Sequence, residues 1–103
     1  MKGPIMTITK EMKSRTKDLM QFLDHSPTAP HAVVTVKNML QDKGFKELCE
    51  KEPWQLQPGD KFYSIRNNTA IIAGIMGKQN ILDTGFHIIG AHTDSPGFRV
   101  KSN

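Results

Sequence analysis

A nearly continuous apolar run at residues 86–91, Phe-His-Ile-Ile-Gly-Ala, limits the folds that this chain can adopt. A short run that is apolar at almost every position is typical of a strand covered on both faces, because a strand with one face in water alternates apolar and polar residues. Such strands occur in sheets that have helices packed on both sides. We therefore expect an α/β architecture in which residues 86–91 form a strand.

Two helices are predicted before this strand. The first spans about residues 9–24, where apolar side chains recur at helical spacing; they are Met12, Leu19, Phe22 and Leu23. The second follows Ser26 or Thr28, either of which can act as N-cap, and has a proline in its first turn. Gly44, followed by the apolar Phe45, suits the left-handed position of a Schellman cap. The sequence thus predicts a helical hairpin.

The residues between this hairpin and the last strand predict shorter strands. Residues 46–49 are a short candidate strand, and a loop containing Pro and Gly follows them. Two apolar runs, at residues 62–66 and 69–76, are joined by Asn67 and Asn68. Because Asn tolerates the positive φ angles of a tight two-residue turn, these runs predict a β-hairpin. The chain of 103 residues is expected to form one small α/β domain, with a helical hairpin followed by strands of a mixed sheet.

The composition disfavours several classes of partner. The net charge of +4 comes from 14 basic and 10 acidic residues. The amino-terminal basic cluster fits the solvated face of a helix better than a nucleic-acid surface, because the nearby aromatic Phe22 lies on the apolar side; the cluster is Lys10, Lys13, Arg15 and Lys17. No run approaches the roughly 18 apolar residues of a membrane span, and the first residues lack the apolar core of a signal peptide. We therefore expect a cytoplasmic protein with no nucleic-acid and no membrane partner.

The candidate functional residues follow the last predicted strand, in the sequence Gly-Ala-His-Thr-Asp at residues 90–94. Positions two apart lie on the same face of a strand, so Asp94 can accept the proton of one ring nitrogen of His92. A carboxylate there fixes the imidazole tautomer and raises its basicity, which suits zinc binding. His92 is the candidate metal ligand and Asp94 the candidate catalytic residue that acts through it. The alternative is that His92 and Asp94 lie near a turn and bind no metal, because so short a motif is weak evidence for a metal site.

Other polar residues are weaker candidates. Asp83-Thr84-Gly85 is the triplet of aspartic proteases, but too few residues follow it for that all-β fold, and a turn is the better interpretation. His87 is an odd number of residues from His92, so on a strand the two side chains would point to opposite faces. His25 and His31 lie at the ends of predicted helices, where we expect structural roles.

Residues 86–101, Phe-His-Ile-Ile-Gly-Ala-His-Thr-Asp-Ser-Pro-Gly-Phe-Arg-Val-Lys, closely resemble the metal-site strand of the aspartyl aminopeptidases, a family of two-zinc exopeptidases. The likeness extends upstream. Residues 22–33 look like the family's amino-terminal helix pair, and residues 52–54 and 58–63 look like its next loop and strand. The resemblance therefore runs in order from about Asp18 to the last residue.

This resemblance implies a zinc-dependent aminopeptidase that removes amino-terminal Asp or Glu from peptides, binds two zinc ions and forms a homo-dodecamer. Family members bind the metals through a first His, a bridging Asp, a Glu, a further Asp and a second His, and His92 matches the first of these. We therefore expect the 103 residues to be the amino-terminal part of a catalytic domain, inactive and without zinc alone, with exposed apolar surface that favours self-association. The alternative is a non-catalytic fold or interaction module in which His92 binds no metal.

Overall fold

A computed structural model describes residues 7–95, 97–98 and 100–102 of the chain. The elements of these residues are, in order, α1 (Lys10–Asp24), α2 (Ala29–Asp42), β1 (Lys46–Glu47), β2 (Lys61–Arg66), β3 (Ala70–Ile75) and α3 (Ile81–Thr84). The three strands form one sheet in the order β1-β2-β3, with β1 parallel and β3 antiparallel to β2. The predicted α/β class, a helical hairpin followed by strands of a mixed sheet, is confirmed.

Side-chain hydroxyls determine where the two long helices begin. Thr9 precedes α1 in an extended conformation, and its hydroxyl accepts a hydrogen bond of 3.1 Å from a main-chain N–H three residues later. Thr28 precedes α2 in the same conformation and accepts an equivalent bond of 3.3 Å. Each bond satisfies an N–H group that has no partner inside the helix. Of the two candidate N-caps for α2, Ser26 and Thr28, the structure therefore has Thr28.

The end of α2 is a Schellman motif, as the sequence predicted. Gly44 has a φ of 84° and donates its main-chain N–H to the carbonyl of Gln41 at 3.0 Å. The N–H of Phe45 donates to the carbonyl of Leu40 at 3.0 Å. These two bonds satisfy carbonyls that the last helical turn leaves without partners, and the positive φ explains why glycine occupies position 44.

The hairpin of β2 and β3 is confirmed, with one correction to its loop. Asn67 and Asn68 have φ angles of 51° and 58°, as expected for this turn. The pairing register joins Arg66 to Ala70, so the connection contains three residues, and Thr69 belongs to the loop. The N–H of Thr69 donates to the carbonyl of Arg66 at 3.2 Å, which closes the turn before the ladder begins.

The core is small and lies where α2 packs on the sheet. Its buried apolar side chains are Ala32 and Val33 of α2 and Tyr63 of β2. The Tyr63 hydroxyl accepts a hydrogen bond of 2.9 Å from the side-chain amide of Gln41 and lies 3.4 Å from a carboxylate oxygen of Glu47. One phenol therefore connects α2, β1 and β2 at the centre of the core.

Helix α1 is attached more loosely. It contains no buried residue, and its apolar side chains Met12, Leu19 and Leu23 are about half exposed. The basic residues of this helix are all exposed, in agreement with the predicted solvated face. Across residues 7–95, 97–98 and 100–102, no helix has both the length and the apolar character needed to cross a membrane.

The predicted strand at residues 86–91 is wrong. These residues follow α3 without regular secondary structure, and Phe86, Ile88 and Ile89 are 74%, 84% and 100% exposed. An apolar sequence gives a strand only where a neighbouring strand accepts its main-chain hydrogen bonds. Within the described residues no strand pairs with this segment, so the apolar run remains irregular.

Candidate metal-binding site at His92

The segment that carries the candidate ligand is attached to the hairpin by Thr93. The Thr93 hydroxyl donates a hydrogen bond of 2.8 Å to the main-chain carbonyl of Thr69, in the loop between β2 and β3. This bond joins residues that are 24 positions apart in sequence. It therefore holds the flanking His92 and Asp94 beside the turn of the hairpin. No sequence pattern indicated a role for Thr93, because its partner is a distant main-chain group.

His92 has one ring nitrogen directed at Asp94. Its Nδ1 lies 2.6 Å from the main-chain carbonyl oxygen of Asp94 and 3.3 Å from the carboxylate oxygen Oδ1. A carbonyl and an ionised carboxylate are both acceptors, so Nδ1 is the nitrogen that carries the proton in a neutral imidazole. The lone pair is then on Nε2, the atom through which this tautomer can bind a metal.

The predicted contact between His92 and Asp94 is present, but its setting differs from the prediction. We expected the pair at the carboxyl end of a strand and inside a cleft. Instead, it lies in the irregular segment, and the side chains of His92 and Asp94 are 77% and 84% exposed. The nearer acceptor is the main-chain carbonyl and not the carboxylate. The missing strand explains both differences, because no ladder constrains the direction of these side chains.

The donor chemistry of His92 fits one position of a zinc site. Zinc binds the unprotonated nitrogen of a neutral imidazole, and a histidine ligand usually donates its other N–H to a carbonyl or carboxylate, as His92 does here. Among the residues whose structure is described, no three His, Cys, Asp or Glu side chains are grouped so that they could bind a metal ion. His92 would therefore supply one ligand, and the other ligands would come from elsewhere.

Two further histidines have structural contacts in the helix ends, as predicted. Nδ1 of His25, the C-cap of α1, lies 2.7 Å from the carbonyl oxygen of Gln21. Nδ1 of His31, in the first turn of α2, lies 2.6 Å from the hydroxyl of Thr28. His87 lies in the irregular segment and lines an apolar groove beside β3.

The Asp83-Thr84-Gly85 triplet ends the single turn of α3. Asn80 caps this turn, accepting a hydrogen bond from the N–H of Leu82 at 3.0 Å. Gly85 has a φ of 69°, and its N–H donates to the carbonyl of Ile81 at 2.8 Å. This geometry agrees with the turn interpretation of the triplet.

A family model for the aminopeptidase I zinc metalloproteases (M18) matches residues 22–103, which include α2, the whole sheet and His92. The chain belongs to the M18 peptidase family. The earlier resemblance to the aspartyl aminopeptidases is thereby confirmed. Two residues of the family-like block, Pro96 and Arg99, lie outside the described residues.

Curated relatives of this M18 chain include enzymes from bacteria and plants. It is 47% identical over 95 residues to a probable M18 family aminopeptidase 2 of Clostridium novyi, covering 89% of this chain and 22% of that protein. It is 39% identical over 84 residues to a probable aspartyl aminopeptidase of Ricinus communis, covering 82% of this chain and 17% of that protein. The chain therefore spans about a fifth of the length of these relatives.

Solved structures of M18 proteins have the same local fold. Yeast aminopeptidase 1 (Ape1) matches with a TM-score of 0.59 and 36% identity, covering 64% of this chain and 16% of that one. The Ape4 and Nbr1 complex matches with a TM-score of 0.60 and 33% identity, covering 71% of this chain and 15% of that one. A yeast mApe1 dodecamer matches with a TM-score of 0.59 and 35% identity, covering 66% of this chain and 16% of that one.

Proposed function

We propose that His92 is the first zinc ligand of a zinc-dependent aminopeptidase, and that these residues form the amino-terminal part of its catalytic domain. The observation that carries this proposal is the geometry of His92, whose Nδ1 is held by Asp94 within the segment matched by the zinc metalloprotease family. The imidazole is thus in the tautomer that a zinc ligand needs.

Asp94 acts in this proposal as a positioning residue. Its carbonyl and its carboxylate both face Nδ1 of His92, so together they orient the ring and fix its proton. A carboxylate beside the non-coordinating nitrogen is also the usual support of a histidine that binds a metal ion. Thr93 supports the pair by attaching the segment to the hairpin.

A zinc ion bound by His92 and further ligands would supply a Lewis acid, which is the chemistry that suits hydrolysis of a peptide bond. The part of this chemistry that belongs to the described residues is the orientation of one ligand. Residues other than those described would provide the remaining zinc ligands. They would also hold the second zinc ion of the expected pair and supply the general base.

The substrate and assembly are further parts of the proposal. We infer a peptide substrate with an amino-terminal Asp or Glu, supported by the relative named as a probable aspartyl aminopeptidase. We infer a homo-oligomer, with a dodecamer as the specific expectation, supported by the related yeast mApe1 dodecamer. A cytoplasmic location is the expectation from the sequence.

The test is an assay of the longest polypeptide encoded by the reading frame that contains these residues. We expect it to release p-nitroaniline from the Asp and Glu p-nitroanilides in a zinc-dependent reaction, faster than from the Leu compound. His92→Ala should abolish this activity and remove bound zinc. His87→Ala, five residues earlier, is the matched control and should retain both. Equal loss in both variants, or full activity of His92→Ala, contradicts the assignment of His92.

The alternative function is a non-catalytic fold or interaction module. The observation that favours it is the exposure of the pair, 77% for His92 and 84% for Asp94 in their side chains. Under this alternative, the 103-residue chain and the longest encoded polypeptide would both lack chelator-sensitive peptidase activity.

A further inference from the structure

The turn between β2 and β3 is the part of the sheet to which the His92 segment is attached. The hydroxyl of Thr93 donates to the main-chain carbonyl of Thr69 at 2.8 Å. The N–H of Thr69 donates across the turn to the carbonyl of Arg66 at 3.2 Å. Thr69 therefore uses one main-chain group to close the turn and the other to hold the segment. The direction of its carbonyl consequently depends on the shape of the turn.

Two consecutive left-handed residues give this turn its shape. Asn67 and Asn68 have φ angles of 51° and 58°. Elsewhere in the described part of the chain, positive φ angles occur at glycines; these are Gly44, Gly59 and Gly85. Glycine adopts this conformation readily, but it adopts many others as well. Asparagine is one of the few residues with a Cβ that tolerate it, because the short polar side chain can hydrogen-bond locally. Two asparagines therefore permit the turn and restrict it more than glycines would.

A side-chain contact at the start of the turn contributes little to its shape. Nε of Arg66 lies 2.9 and 3.1 Å from the two carboxylate oxygens of Glu50. The two side chains are 69% and 40% exposed, and ion pairs exposed to this extent stabilise a protein only slightly. The left-handed residues are thus the main determinant of the direction of the Thr69 carbonyl.

We propose that Asn67 and Asn68 are positioning residues for the zinc ligand His92. Their left-handed backbone directs the Thr69 carbonyl toward Thr93, and this bond holds the adjacent His92 beside the hairpin. A histidine that is already held loses less conformational freedom when it binds a metal ion, so the turn increases the affinity for zinc. The proposal rests on the assignment of His92 as a zinc ligand, and it uses only contacts that the described residues make with one another.

The first test measures zinc dissociation constants by chelator competition, on the longest polypeptide encoded by the reading frame. Asn68→Ala should raise the constant about fivefold, because a left-handed φ disfavours alanine by a factor of roughly 5 to 30. Asn68→Gly should keep the constant within about twofold of the wild-type value, since glycine adopts the same φ without the amide. An equal rise in both variants would mean that the amide acts and not the backbone, which would overturn the proposal.

Gly59→Ala is the matched control for strain in the hairpin. Gly59 has a φ of 85° just before β2, at the end of this strand opposite to the turn, and no atom lies within 4 Å of a Cβ added there. Alanine at this position meets the same kind of backbone strain, so it should lower the stability of the hairpin and leave zinc binding unchanged. An equal rise of the zinc dissociation constant in Gly59→Ala and Asn68→Ala would indicate general destabilisation and contradict a positioning role.

The second test determines whether the turn acts through Thr93. Thr93→Val removes the hydroxyl that donates to Thr69. In the Thr93→Val background, Asn68→Ala should change the zinc dissociation constant by less than about twofold, because substitutions that break the same connection have non-additive effects. If the two effects multiply, the turn and Thr93 act independently, and the proposed connection does not exist.

His92→Ala separates this proposal from the assignment of the ligand. Loss of zinc in His92→Ala, together with an unchanged dissociation constant in Asn68→Ala, would overturn the role of the turn and retain His92 as a ligand. Zinc binding that survives His92→Ala unchanged would overturn both. We expect His92→Ala to lose zinc and Asn68→Ala to bind it more weakly.

Discussion

Asp94 contacts the imidazole of His92 through two acceptors. Its main-chain carbonyl oxygen lies 2.6 Å from Nδ1, and its carboxylate oxygen Oδ1 lies 3.3 Å from the same atom. The shorter contact belongs to the backbone, which substitutions at position 94 retain. The carbonyl is therefore sufficient to keep the proton on Nδ1, and the particular contribution of the carboxylate is its negative charge.

Asp94→Asn should accordingly weaken zinc binding without abolishing it. We expect a decrease in zinc affinity of about tenfold, at the lower end of the usual range for residues that support a metal ligand. The measurement is chelator competition on the longest polypeptide encoded by the reading frame. Asp83→Asn, which neutralises an exposed carboxylate in α3, is the control. An unchanged zinc affinity would show that the charge of the carboxylate contributes nothing. A complete loss of zinc would show that the main-chain carbonyl alone does not hold the imidazole.

Thr93→Val should loosen the segment around His92 while leaving the sheet intact. The substitution removes the hydroxyl that donates to the Thr69 carbonyl at 2.8 Å, but it preserves the shape of the side chain. We expect lower heteronuclear NOE values for the amides of His92 and Asp94, and a change in global stability below about 0.5 kcal/mol, as for most exposed positions. Thr84→Val removes a local bond to Asn80 in α3 and should leave the His92 amide unaffected. A rigid segment in Thr93→Val would mean that other contacts hold it.

The features that the sequence predicted correctly depend on near neighbours in the chain. Thr9 and Thr28 cap helices through bonds that span three residues, and Gly44 ends α2 through equally local bonds. Asn67 and Asn68 adopt the positive φ angles that the turn needs. In each case the interacting atoms lie within a few residues, so the residue type alone restricts the geometry.

The features that the sequence did not predict depend on distant partners. The apolar run at residues 86–91 has the composition of a strand, but a strand also requires a neighbour, and composition does not provide one. The bond between Thr93 and Thr69 spans 24 residues and leaves no pattern in the sequence. The sequence consequently predicted the contact between His92 and Asp94 but not the surroundings of the pair.

Two adjacent hydroxyls in β2 should respond differently to removal. The buried Tyr63 hydroxyl accepts a bond from Gln41, so Tyr63→Phe should reduce the free energy of unfolding by about 1 kcal/mol. The hydroxyl of Ser64 is also buried but has no hydrogen-bond partner among the described residues. Ser64→Ala should therefore cause no loss and can increase stability by up to about 1 kcal/mol. Urea unfolding of both variants measures the difference, and a larger loss in Ser64→Ala would reveal a partner for that hydroxyl.

Gly44→Ala tests whether the backbone conformation at the end of α2 requires glycine. No atom lies within 4 Å of a Cβ added at Gly44, so any loss would come from its φ of 84° and not from a clash. The left-handed conformation costs a residue with a Cβ roughly 1–2 kcal/mol, and we expect the free energy of unfolding to fall by about 1 kcal/mol.

Gly77→Ala is the control, because a Cβ there also meets nothing within 4 Å and its φ is not positive. There, alanine restricts the unfolded chain and should leave stability unchanged or raise it by about 0.5 kcal/mol. Equal effects at the two glycines would mean that the Schellman motif does not determine where α2 ends.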